Sequence, residues 1–184
     1  MGVLLAFAPF IVYVIVERLA GIPAGLGAAA LTSAALLIRD AVTPNRTVKV
    51  LEVGTFLLFG GLAAFALLKG AAWTVPAVRL RVDGGLLLLV LITMAVRQPF
   101  TLQYARETVP REAWTSSEFI RTNYVITAVW ALAFALMVAA DLAMLYVPSI
   151  PMRTAIIVTI LAIYGAARFT GWYPERGQTK AVAK

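Results

Sequence analysis

The chain contains no histidine and no cysteine. Those two absences exclude His- or Cys-ligated zinc, copper and haem, thiol redox chemistry, disulfides and a histidine general base. Charge is also scarce. Asp, Glu, Lys and Arg together make up 14% of 184 residues, against about 25% in a water-soluble domain. A soluble globular protein and a disordered chain are both excluded on that ground. The four lysines, Lys49, Lys69, Lys180 and Lys184, stand at segment ends or in the tail. None is placed mid-membrane for a retinal-type Schiff base. No GxxxxGK[ST] or GxGxxG run occurs, so nucleotide binding has no support. No Lys or Arg precedes Arg18, so the basic region of a cleavable signal peptide is missing and the first apolar segment reads as a retained helix.

What the chain has is apolar length. Hydrophobic residues make up 61% of it and the mean hydropathy is +0.88. At roughly 20 residues per crossing, that allows five or six transmembrane helices and no sizeable domain beside them. The expected fold is all-α: a polytopic integral membrane protein, a bundle of about six transmembrane helices. The helices are expected over about 2–19, 23–39, 48–68, 77–96, 117–146 and 152–169, with 1–170 a single transmembrane domain and 171–184 a basic, polar tail. Pro9 lies inside the first helix and is expected to kink it. Gly21, Ile22 and Pro23 read as a tight turn. The first two helices are either thin spans or a re-entrant hairpin. Pro44 and Asn45 mark a polar loop, Trp73 an interface anchor, and Pro148 and Pro151 the last connection. Residues 99–116 form the longest polar stretch and read as a surface-lying segment. Thr115, Ser116 and Ser117 then offer an N-cap, with Glu118 in the first turn of the long fifth helix.

Basic residues set the orientation. With this parse, five of the 16 Lys and Arg residues fall on one side (Arg18, Lys69, Arg79, Arg81 and Arg153) and the rest on the other. The positive-inside rule then places both termini in the cytoplasm. The net charge of +7 reads as basic cytoplasmic loops facing anionic membrane lipids rather than as a nucleic-acid surface.

The fifth helix holds two patterns. Thr127, Ala131, Ala135, Ala139 and Ala143 recur every four residues, the spacing of a helix-packing groove within the chain or of a homodimer seam. Asn123, Thr127, Trp130, Phe134, Met137 and Asp141 recur at threes and fours, the spacing of an interior face or of a ligand path. Asp141 is a carboxylate near a helix end and the first candidate for function. With Arg79, Arg81, Asp83, Glu17 and Arg18 it forms a candidate polar cluster at the outer face, in which Arg79 and Asp83 are spaced to pair. At the inner face stand Arg39, Asp40, Glu52, Arg97, Gln98, Arg121 and Asn123, with Arg97 or Arg121 as expected partners of Glu52. The middles of the helices lack ionisable groups, which weighs against a pump. Nothing points to a cofactor, a metal or a catalytic residue.

The order of these residues resembles the intracellular septation protein A family, small bacterial inner-membrane-spanning proteins, or a related branch of it. The marks are Ala6-Phe7-Ala8-Pro9-Phe10, Leu58-Phe59-Gly60-Gly61-Leu62, Arg97-Gln98-Pro99-Phe100, Pro110, Trp114, and the run from Asn123 to Trp130. The chain departs from the family in its long fifth helix and its Arg-rich residues 106–121. The resemblance implies a non-enzymatic inner-membrane protein that supports envelope integrity, septation or division through contacts with division or elongation membrane proteins. It implies no reaction and no transported substrate. The alternative reading is a small dimeric transporter or channel for an ion or anionic solute, working at Asp141 and the outer arginines. A membrane enzyme acting on lipid or quinone stands third, and would need two carboxylates converging on one cavity.

Overall fold

The computed structural model describes residues 5–182 except 45, 71, 72 and 148, with the backbone alone over 175–182. The expected helix start at Gly2, the turn residues Asn45 and Pro148, and Lys184 lie outside the described residues. The elements are helices α1 (Ala8–Ala20), α2 (Ile22–Val42), α3 (Val50–Lys69), α4 (Val75–Ala95), α5 (Phe100–Arg106), α6 (Ser117–Tyr146) and α7 (Met152–Val182), with a 3₁₀ turn over Arg111–Ala113. No strand occurs among the described residues. Four helices are long and apolar enough to cross a membrane: α2, α3, α6 and the Met152–Pro174 part of α7. Only 11% to 44% of each apolar window is buried, so most of the apolar surface faces outward. In water such a surface would aggregate; against lipid it is solvated. The helices α1 and α4 fall outside this group, α1 by length and α4 through Arg79, Arg81 and Asp83 in its first turns.

The chain divides into two compact units, Met1–Leu89 and Val90–Lys184. In the first, Pro9 occupies the opening turn of α1 rather than its interior. Its missing N–H falls where a helix has no acceptor to offer, and a turn at residues 6–7 sets α1 apart from the helical Leu5. Gly21 alone reverses the chain between α1 and α2, at φ 86° and ψ 172°, a conformation that favours glycine. Pro23 sits in the first turn of α2, as the sequence predicts. The two helices then cross closely at Gly25, where a Cβ would stand 2.9 Å from the Glu17 Cβ and 3.0 Å from its backbone N. The α3–α4 approach is reciprocal. Leu89 covers Gly54 and Leu58 covers Gly85, each leucine filling the space that a side chain on the facing helix would need. The core of the unit joins Tyr13, Leu26, Ala29, Phe59, Ala63, Ala66, Val78 and Val82 from all four helices. Phe59 is its hub, with Phe10 at 4.9 Å and Tyr13 at 5.8 Å between ring centroids. Trp73, expected as an anchor, stacks on Phe65 at 5.3 Å and carries the Arg81 guanidinium 4.7 Å from its ring centroid.

In the second unit α6 packs along α7 and α5 packs on α6. The bounds of α6 are those read from the sequence. Ser116 is its N-cap and accepts a bond from the Phe119 N–H at 3.2 Å, with Glu118 in the first turn. At 30 residues it is about 45 Å long, more than a hydrocarbon core of about 30 Å. The expectation of a surface-lying segment before it is corrected for one face of α5, while residues 107, 108, 110–112, 115 and 116 are exposed. Phe100, Thr101, Leu102 and Tyr104 of α5 are all buried, because the helix lays an aromatic and hydroxyl face on α6. The following turn is built on Trp114, which carries the Arg106 and Arg111 guanidinium groups at 5.5 and 5.7 Å from its ring. The last helix runs on through Pro174 to Val182, past the end expected at about residue 169.

Candidate functional site

The densest arrangement of charge lies at the α2–α3 connection. The last two turns of α2 present Arg39 and Asp40, the connection carries Arg46, and Lys49 and Glu52 flank and open α3. The turn is held locally by Thr43, whose N–H and Oγ1 both donate to the Arg39 carbonyl, at 3.0 and 2.6 Å. That closes α2 and aims the chain back toward Asp40. One oxygen of Asp40, Oδ1, accepts from Arg39 Nε at 2.7 Å and from Arg46 Nη1 at 3.3 Å. The other, Oδ2, accepts from the Lys49 ammonium, which also donates to the Thr47 carbonyl at 3.3 Å. Arg39 further reaches Glu52, Nη2 to Oε1 at 3.9 Å. Asp40 and Lys49 are each 1% exposed and Glu52 2%, whereas the arginine side chains remain 33% and 41% exposed. A buried carboxylate is tolerated here because cations meet both of its oxygens. The arrangement clasps two helices and turns two guanidinium groups outward.

The second arrangement is a seam of polar groups in the second unit. Thr101 Oγ1 donates to the Asn123 carbonyl at 3.0 Å and lies 2.8 Å from Thr127 Oγ1. A hydroxyl has one hydrogen, so Thr127 is the donor in the second bond. Asn123 Nδ2 donates to the Phe119 carbonyl at 2.9 Å. Trp130 Nε1 donates to Thr170 Oγ1 at 2.9 Å, and Thr170 in turn donates to the Ala166 carbonyl at 2.8 Å. The Trp130 ring sits between Phe100, edge-on at 6.5 Å, and Phe134 at 5.9 Å.

The two patterns on α6 have different fates. Asn123, Thr127, Trp130, Phe134, Met137 and Asp141 are all buried. Of the four-residue repeat, Thr127 and Ala131 are buried, Ala135 and Ala143 half-buried and Ala139 exposed. A step of four advances about 40° beyond a full turn, so the repeat rotates off the interior face, while alternating threes and fours follow the helical period.

Of the outer candidates, Glu17, Arg79 and Asp83 act electrostatically on the buried Tyr13 phenol. Glu17 has Arg18 at 3.9 Å, with the Arg18 side chain exposed. Arg81 is exposed and donates to the Ala77 carbonyl at 2.6 Å. Asp141, in the second unit, is fully shielded from solvent. Of the inner candidates, Glu52 and Asn123 are buried, while Arg97, Gln98 and Arg121 are exposed. Sequence reasoning placed Asp40 at the inner face but passed over Lys49, Thr101 and Thr170. The signal for Lys49 was an acidic residue at a helix end followed, within one short connection, by two cations. No signal marked Thr101 or Thr170.

Among the described residues no group of three acidic side chains is placed to hold a metal ion. A shallow groove of about 310 Å³ on α7 is lined by Gly165, Arg168, Phe169 and Trp172. Compared with protein-family models, curated proteins and solved structures, the chain matches none. The class that the fold defines is an all-helical membrane protein, with four helices long and apolar enough to span.

Proposed function

We propose that the chain is a non-enzymatic, six-span protein of the bacterial inner membrane, with both termini in the cytoplasm, which supports envelope integrity or division through contacts with other membrane proteins. The observation that carries this reading is the use made of the polar stripe on α6. A solute path needs polar groups with open valence along a wet face. Asn123, Thr127 and Trp130 are bonded instead to Phe119, Thr101 and Thr170. Asp40, in the first unit, is held by three cations of the same chain. Groups used in this way stiffen a bundle and leave its outer faces to lipid and protein. The resemblance to septation protein A supplies the kind of partner.

The test is brief crosslinking in native membranes, purification in mild detergent and mass spectrometry of what accompanies the chain. Division or elongation membrane proteins are expected above a matched membrane-protein control. A stable homo-oligomer with no enriched partner overturns the reading.

One observation favours a second reading, a small dimeric transporter or channel: the complete burial of Asp141 near the end of α6. It requires Asp141→Asn to abolish ion or anion flux in proteoliposomes while the thermal midpoint stays unchanged.

A further inference from the structure

The helix α4 ends in a Schellman motif. The Val96 N–H donates to the Ile92 carbonyl at 2.9 Å, the Arg97 N–H to Met94 at 3.0 Å and the Gln98 N–H to Thr93 at 2.9 Å. The motif requires left-handed backbone at its turning residue, and Arg97 supplies it with φ 59°. The other residues at positive φ among those described are Gly21 and Gly70. Glycine adopts this conformation freely, whereas a Cβ meets the neighbouring carbonyl. A long cationic side chain at such a position is therefore unfavourable to folding unless the side chain is used.

Among the described residues nothing uses it. Arg97 is exposed, and its guanidinium makes no hydrogen bond, ion pair or ring contact among the described residues. The surface leading up to it is apolar. Leu91, Ile92, Ala95 and Val96 are all exposed. At 100° per residue they share an arc of about 140° on the last turns of the helix. An outward apolar face that ends in an unpartnered guanidinium matches an amphiphile with acyl chains along the helix and an anion at its head. Guanidinium suits that anion when it is a phosphate, through paired N–H donors.

We propose that Arg97 binds the phosphate of an anionic phospholipid whose acyl chains lie on the 91–96 face of α4. Strain at the helix end is then offset by the bound lipid, and the turn fixes where the headgroup sits. The site uses neither the α6 seam nor a protein partner, so it stands apart from the envelope role.

The test uses the full chain in neutral detergent, titrated with phosphatidylglycerol or phosphatidylcholine. Native mass spectrometry reads bound lipid, and tryptophan fluorescence reads the thermal midpoint. Wild type is expected to bind phosphatidylglycerol about fivefold more tightly than Arg97→Gly or Arg97→Gln, the effect of one interfacial cation. Arg97→Lys keeps part of the preference, because it keeps the charge without the paired donors. Without anionic lipid, Arg97→Gly is expected to melt above wild type, because the left-handed turn is relieved. Arg97→Gln keeps the backbone strain and loses only the charge, so it remains informative if the glycine variant fails to fold. Equal affinity of wild type and Arg97→Gln for phosphatidylglycerol overturns the proposal, as does a wild-type midpoint at or above that of Arg97→Gly in neutral detergent. Inorganic phosphate alone is expected to leave the midpoint unmoved; stabilisation equal to that by the lipid overturns the assignment to a phospholipid.

Discussion

Lys49 donates to Asp40 across the α2–α3 connection, and the two side chains are 1% and 0% exposed. Both side chains are shielded from solvent, and Arg39 and Arg46 share the Asp40 carboxylate with Lys49. The pair ties the end of one apolar helix to the start of the next.

Removing one member leaves a buried charge short of its partner, which costs about 3–5 kcal/mol. Asp40→Ala is expected to lower the thermal midpoint strongly, since it removes the carboxylate that Lys49, Arg39 and Arg46 share. Lys49→Met is expected to cost less, because Arg39 and Arg46 still meet the Asp40 Oδ1 atom. The double variant Asp40→Ala with Lys49→Met should lose less than the sum of the two, as read from a double-mutant cycle of unfolding in detergent. Additive losses would mean that the pair contributes no coupling.

The polar seam predicts a graded series. Thr127→Val keeps the shape and loses one bond, for about 1 kcal/mol. Thr101→Val loses two bonds and leaves the Asn123 carbonyl without that donor, so its loss should be the larger. Trp130→Phe keeps a ring beside Phe100 and Phe134 while removing the N–H to Thr170. Thermal midpoints of the three variants, ranked against wild type, check the order.

Glycines on the helices divide by what a Cβ would meet. Gly25→Ala places a methyl group against the Glu17 backbone and should cost about 1–3 kcal/mol, since neither helix can yield without parting. Gly60→Ala meets open space and should be neutral or stabilising by up to about 1 kcal/mol, through helix propensity. Equal behaviour of the two variants would refute the close α1–α2 crossing.

The absence of native cysteine makes topology directly readable. With six spans and cytoplasmic termini, Thr43→Cys should resist a membrane-impermeant maleimide applied to intact spheroplasts, and Thr74→Cys and Ser149→Cys should react. Labelling of Thr43→Cys from outside would refute the six-span orientation.

Much of the architecture was legible in the residues. The bounds of α6, its Ser116 cap and the Gly21 turn follow from local chemistry, which acts within a few residues of its cause. The interior stripe from Asn123 to Asp141 was legible as well, because alternating threes and fours repeat at the helical period. The small-residue repeat turns gradually off that face, because its period is longer than the helical one; Thr127 and Ala131 are buried and Ala139 is exposed. Polar composition suggested that residues 99–116 lie on the surface, and most of 107–116 does, yet one face of α5 is buried. Its Phe100 and Thr101 find aromatic and hydroxyl partners on α6 that lie more than twenty residues away in sequence.

By itself the sequence determined the solvent. Scarce charge and long apolar runs require lipid around the helices, and the burial of polar backbone in lipid requires that those runs be helical. Only the tertiary structure decided which polar groups meet. Lys49 faces Asp40, Thr101 faces Thr127 and Trp130 faces Thr170 because helix rotation and the course of short connections bring them together. Those depend on packing over many residues at once, which no local pattern encodes.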